Sequence, residues 1–161
     1  VLDAELLVAT PAGTRTMPLG ELFRGAKQNS LQAGELVQQV RLRAPPPGSG
    51  SAFAKLTRTA ADCAKINAAA YLVTDGRACA TARLCLGSVA ATPLRLERAE
   101  ALLVEAGLDS ATIARAAALA AEDIEPISDI RSTAEYRREA ARVLVGEVLH
   151  QAVERALSEQ P

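Results

Sequence analysis

His150 is the one histidine among 161 residues, so a multi-histidine metal centre cannot be assembled from this chain. A nucleophile–histidine site would have to be built around it. It lies among Glu147, Gln151 and Glu154, deep in a long helical pattern, where a solvated helix-face histidine is expected. Cys63, Cys79 and Cys85 have neither CxxC spacing nor an even count, and in a reducing compartment such thiols serve as small core fillers rather than ligands. Gly48-Ser49-Gly50 follows three prolines instead of a strand, so it lacks the strand-to-helix setting of a phosphate-cradling loop. Residues capable of catalysis are few and unclustered. Taken alone, they describe a body without chemistry of its own.

The rest of the composition narrows the classes further. The chain is 49% hydrophobic and 23% charged, with a formal net charge of -1, the balance of a globular protein. Lys and Arg are scattered, which gives no electrostatic footprint for nucleic acid or an anionic membrane. No eighteen apolar residues run together and no signal-peptide core opens the chain, so a cytoplasmic protein without membrane insertion is expected. The chain starts at Val1 inside a strand-like pattern and reads as a piece of a longer polypeptide.

The elements follow from periodicity. Residues 3–9 and 14–17, separated by Pro11-Ala12-Gly13, predict a hairpin, and Leu19 to Phe23 a short helical turn. Leu36 to Leu42 predicts a strand with Leu36, Val40 and Leu42 on one face. Residues 44–50, Ala-Pro-Pro-Pro-Gly-Ser-Gly, cannot continue a ladder, because three prolines lack donors; they read as a linker. Beyond it, Ser51 to Arg58, Lys65 to Val73 and Arg77 to Leu86 predict three strands, the last two joined at Asp75-Gly76. The last strand would place Ala78, Ala80, Ala82, Leu84 and Leu86 on one face and Arg77, Cys79, Thr81, Arg83 and Cys85 on the other. Helices follow. One starts near Pro93, carries Leu96, Ala99, Leu102, Leu103 and Ala106, and stops at Gly107; a second carries Ile113, Ala116, Ala117 and Ala120. The capping-box spacing Ser132-Thr133-Ala134-Glu135 opens a third over about 133–157, with Ala141, Leu144, Val148 and Ala152 inward. The expected fold is α+β: a three-stranded antiparallel sheet against about three helices, preceded by a small β-rich segment.

Several stretches, in order, carry a resemblance: Ser51-Ala52-Phe53-Ala54-Lys55-Leu56-Thr57-Arg58, Ala61-Asp62-Cys63-Ala64-Lys65-Ile66, Leu86-Gly87-Ser88-Val89 through Thr92-Pro93-Leu94-Arg95 with Ala99-Glu100, and Pro126-Ile127-Ser128-Asp129-Ile130-Arg131-Ser132-Thr133-Ala134-Glu135-Tyr136-Arg137-Arg138. Together they resemble the FAD-binding subunit of molybdenum hydroxylases, the middle subunit of carbon monoxide dehydrogenase and the flavin segment of xanthine dehydrogenase. The D-x-R-x-x-A-x-Y-R-R run is the most specific of them. On this resemblance residues 1–43 are the end of an FAD-binding domain and 51–161 the family's C-terminal flavoprotein domain.

The resemblance implies an oxidoreductase subunit in which FAD passes electrons, received through iron–sulfur clusters from a molybdenum centre, to an external acceptor. It also implies two partners, a molybdenum-binding large subunit and an iron–sulfur small subunit. The Gly-rich loops that hold the FAD pyrophosphate lie upstream in the family. This chain is therefore expected to supply only the isoalloxazine side and to be inactive in isolation. Five positions carry over. Leu36 and Val37 correspond to apolar residues lying against the ring, the alternative being simple strand core. Lys55 matches a lysine approaching the ring, where a cation favours the reduced, anionic flavin; the alternative is a solvated lysine. Arg58 and Asp62 bracket a loop beside the flavin, or pair with one another. Asp129, Arg131 and Tyr136 read as structural supports of a helix entrance. The chain departs from many relatives at Thr59, where a second arginine is common, and at Ala91, where proline is common. The competing reading is a flavin-free domain that only docks partner subunits.

Overall fold

The computed structural model describes residues 1–76 and 78–158. The chain divides into two compact units, Leu2–Pro45 and Pro46–Pro161, the latter joined by Val1.

The smaller unit is a three-stranded antiparallel sheet in the order β2-β1-β5, formed by Gly13–Pro18, Glu5–Thr10 and Leu36–Arg41, with a second ribbon of β3 (Phe23–Gly25) and β4 (Gln28–Asn29). The predicted helical turn is present as a 3-10 turn over Leu19–Leu22. Alternation along β1 turns Leu6 and Val8 inward onto Met17, and Leu19, Leu22, Leu31 and Val37 pack around them. Strand β5 does not bury the face predicted for it. Val37 sits opposite Val8 while Gln39 sits opposite Leu7, so Gln38 is an extra residue, a bulge that breaks the alternation. Leu36 therefore lies opposite Ala9 on the outer face, while Val40 lies opposite Leu6, so the two no longer share a face; Leu36, Val40 and Leu42 are 68%, 56% and 58% exposed.

The larger unit is a four-stranded antiparallel sheet, β6-β7-β8-β9, comprising Ser49–Leu56, Ile66–Asp75, Ala78–Gly87 and Leu94–Arg95. It exceeds the predicted three strands by the two-residue β9, which lies where a helix was expected to begin: Pro93 precedes this strand, and α1 runs Glu97–Ala106. Glu100 explains the arrangement. Its buried carboxylate accepts the Leu84 N–H at 2.8 Å and both Arg95 guanidinium donors at 2.7 Å, satisfying the β8 edge just past the point where β9 ends. Gly107, at φ +90, closes α1 as predicted.

Strand β6 begins at Ser49, inside the stretch read as linker, because the Gly48 carbonyl already accepts from Thr74 N–H at 2.8 Å and from its hydroxyl at 3.0 Å. In β8 the register shifts so that Val73 faces Thr81 and Thr74 faces Cys79. Ala80 is the extra residue, and the bulge changes the phase of the strand: Ala82, Leu84 and Leu86 are buried as expected, but Cys79 joins them while Ala78 and Ala80 are exposed. Arg77, assigned to the outer face, lies outside the described residues.

Helix α1 packs on β8 and α3 (Ala134–Ser158) on β6 and β7, while α2 (Ser110–Glu122) packs on both of them. The contact layer is rich in alanine. Ala68, Ala70, Ala82, Ala99, Ala116, Ala120, Ala141 and Ala152 are all buried, interleaved with Ile66, Leu72, Leu84, Leu103 and Val148, and small side chains let helix and sheet backbones approach closely. The limit is reached at Gly50, where a Cβ would stand 2.0 Å from the Ala152 carbonyl oxygen. Helix α3 is capped one residue later than the capping-box spacing suggested. Thr133 accepts the Tyr136 N–H at 3.2 Å and Ser128 the Ala134 N–H at 2.9 Å, so Ser132 is not the cap. His150 is on the exposed face of α3, as read from the sequence.

Candidate functional site

Lys55, Arg58 and Asp62 come together at the open end of β6. The connection from Leu56 to Ile66 turns back on itself, with the Thr59 carbonyl accepting the Thr57 hydroxyl at 2.7 Å and the Asp62 N–H at 3.0 Å. The Lys55 ammonium reaches across this turn and donates to the carbonyls of Ala60 at 3.0 Å and Asp62 at 3.4 Å. An ammonium has three protons, so one is left for another acceptor. Arg58 and Asp62 pair with each other at 2.9 Å. That guanidinium, with the Cys63 N–H at 2.8 Å, holds the Asp62 carboxyl below the usual carboxylate range. Thr59 contributes through its carbonyl.

Leu36 and Val37 belong to the smaller unit and part company there. Val37 packs with the Leu6–Val8–Met17 core, whereas Leu36 is outward. The start of β5 is fixed by Glu35, which receives two parallel bonds from Arg15, each 2.8 Å, and the Gln32 N–H at 2.8 Å. This fork, then the backbone donor, lowers the Glu35 carboxyl to about 2. Gly34, at φ +81, makes the preceding turn.

The sequence reading missed the residue that organises the D-x-R-x-x-A-x-Y-R-R motif. Arg137 is 4% exposed and donates to the Ser88 carbonyl at 2.6 Å and to Asp129 at 2.8 Å. Asp129 also accepts the N–H groups of Arg131 at 2.8 Å and Ser132 at 3.1 Å. Ser88 has φ +65, a left-handed conformation unfavourable for serine, and the Arg137 fork holds its carbonyl there. The signal was present as Gly87-Ser88 and Tyr136-Arg137-Arg138, but 49 residues separate donor from acceptor. Lys65 stands 5.5 Å from the Tyr136 ring centre, which links β7 to the same helix entrance.

The cysteines do not behave alike. Burial pushes the Cys79 and Cys85 thiols up, away from the reactive thiolate. Cys63 is exposed on the 57–65 turn rather than filling a core.

Residues 51–152 match the model of the CO dehydrogenase flavoprotein C-terminal domain. The chain belongs to that family. It is 39% identical over 155 residues to the carbon monoxide dehydrogenase medium chain of Afipia carboxidovorans, covering 96% of this chain and 52% of the relative. It is 33% identical over 156 residues to 6-hydroxypseudooxynicotine dehydrogenase complex subunit alpha of Paenarthrobacter nicotinovorans, covering 96% and 53%. Among solved structures, reconstituted CO dehydrogenase from Oligotropha carboxidovorans matches with a TM-score of 0.87 at 36% identity, over 96% of this chain and 54% of that one. Carbon monoxide dehydrogenase from Hydrogenophaga pseudoflava lacking the Mo-pyranopterin moiety matches at 0.90 and 31%, with the same coverage. The chain spans about half the length of the curated relatives it matches. Family membership bears out the resemblance read from residues 51–66, 86–100 and 126–138, and with it the α+β fold.

Proposed function

We propose that this chain is the C-terminal part of the FAD-binding medium subunit of a molybdenum-containing hydroxylase. In that complex, iron–sulfur clusters on a small subunit deliver electrons from a molybdenum-binding large subunit to FAD, and FAD passes them to an external acceptor. The carrying observation is the likeness to carbon monoxide dehydrogenase medium chains over 96% of the chain. Names among the other relatives point the same way, including a xanthine dehydrogenase FAD-binding subunit and a nicotinate dehydrogenase FAD-subunit. A cytoplasmic location fits the absence, among the described residues, of any helix long and apolar enough to cross a membrane.

FAD supplies the redox chemistry when bound. Of the five expected positions, two suit a flavin ring directly. Leu36 offers a bare apolar side chain on an anchored strand, which suits the exclusion of water from an aromatic surface. Lys55 offers a positive charge held in place by two carbonyls with a proton to spare, which suits stabilising negative charge on a reduced ring. Val37 supports Leu36 from within, and the Arg58–Asp62 pair shapes the turn.

A redox titration of the complete subunit tests this reading. Lys55→Ala is expected to lower the flavin potential on the order of 30 mV, the two-electron equivalent of about 1.4 kcal/mol, and Lys55→Arg to retain most of it. An unchanged potential in Lys55→Ala removes Lys55 from the site. A complete subunit that purifies colourless and takes up no FAD favours the flavin-free docking domain instead.

A further inference from the structure

Strand β6 is an outer strand of its sheet, and no strand among the described residues pairs with its free side. Which of its backbone groups face outward follows from the ladder. Gly48 and Thr74 are directly opposite and bonded, so the even-numbered residues of β6 bond to β7 and the odd-numbered ones point away. Ser51 confirms the phase, since its carbonyl accepts from the Arg155 guanidinium instead of from β7. That contact ends the open stretch on one side. What remains is the N–H and C=O of Phe53 and of Lys55, four groups in a row to which no element among the described residues gives a partner.

A shallow groove runs beside this stretch, lined by Phe53, Ala54, Lys55, Leu56, Leu144 and Glu147. Edges are usually guarded by an outward lysine or a proline, yet the Lys55 ammonium is drawn away onto Ala60 and Asp62. Phe53 is 62% exposed. Glu147 is exposed and pairs with no cation among the described residues; its contact is the Gln151 amide at 3.1 Å.

We infer that the Phe53–Lys55 edge of β6 receives an extended segment of a partner subunit as a fifth strand, with a lysine or arginine of that segment on Glu147. The occupant is dictated by the surface. Only an extended main chain offers donors and acceptors at the two-residue spacing of Phe53 and Lys55. Its side chains then alternate: one faces Leu144 in the groove with the cation at the Glu147 rim, and its neighbours lie over Phe53. The inference rests on the subunit assignment proposed above.

The test uses the complete subunit, alone and assembled with its large and small partner subunits, and follows amide hydrogen exchange at single-residue resolution. Assembly is expected to slow exchange at Phe53 and Lys55 by at least about tenfold. Glu147→Lys is expected to weaken assembly by at least about tenfold while flavin content stays unchanged. The inference is overturned if a flavin-loaded complex forms with these amides exchanging as in the free subunit, if they are already protected in the free subunit, or if Glu147→Lys assembles like the wild type. In those cases the subunit assignment stands. Failure to form any complex or to hold flavin overturns both.

Discussion

Replacing Gly50 with alanine adds one methyl group where the backbone of α3 already stands. The new Cβ would lie 2.0 Å from the Ala152 carbonyl oxygen, 2.4 Å from the Ala156 nitrogen and 3.0 Å from the Ala156 Cα. Ordinary carbon–oxygen contact needs more than a further ångström. All three obstacles are main chain, so no rotamer change can relieve them, and α3 must retreat from β6. That retreat opens the layer in which Leu144, Val145, Val148, Leu149 and Ala152 are buried. Overpacking a core usually costs about 1–3 kcal/mol, and a collision with backbone alone belongs at the upper end or beyond. At roughly 3 kcal/mol the folded-to-unfolded ratio falls about a hundredfold, and the unfolding midpoint of a unit this size drops by roughly 10 °C. Thermal unfolding followed by circular dichroism reads this out. Gly146→Ala is the control: it lies within α3 with nothing within 4 Å of its Cβ position, so helix propensity should make that variant about 0.5–1 kcal/mol more stable. A Gly50→Ala midpoint within about 2 °C of wild type would refute the close-approach account of why glycine stands there.

Two further perturbations probe arginine contacts that fix local backbone, one in each unit. Arg137→Lys leaves a point charge where a planar fork reaches both Ser88 and Asp129; it should cost roughly 2 kcal/mol in unfolding experiments and increase exchange of the 128–133 amides, and a wild-type profile would reject the fork. Glu35 has its folded-state carboxyl lowered to about 2 from 4.5, so its contribution is complete above about pH 4.5 and is lost as pH falls toward 2. NMR of the Arg15 side-chain N–H should show the Glu35 contact dissolving in that window, and Glu35→Gln should reproduce the acid form at neutral pH; an Arg15 signal that does not move over this range would dismiss the pairing.

What the sequence made legible was whatever repeats. The stripes of α2 and α3 rest on a period of 3.6 summed over many residues, and the Gly107 stop on the left-handed backbone that glycine tolerates; the structure follows both. What it concealed turns on single residues that break a period. Gln38 and Ala80 are unremarkable in type, yet each is the extra residue of a bulge, and each shifts the phase of its strand by one residue. The first is why Leu36 stands outward instead of entering the core. Contacts between distant residues were equally hidden. Nothing near Glu100 announces that it completes the edge of β8, and nothing near Arg137 announces the strained carbonyl of Ser88. The motif was recognisable because its residues are close in sequence, but the reason for it is a bond to a loop 49 residues away. The same holds for Lys55: the family resemblance marked it as a candidate charge, and only the turn folded over it explains why that charge is held where it is and why the strand edge beside it is left unguarded.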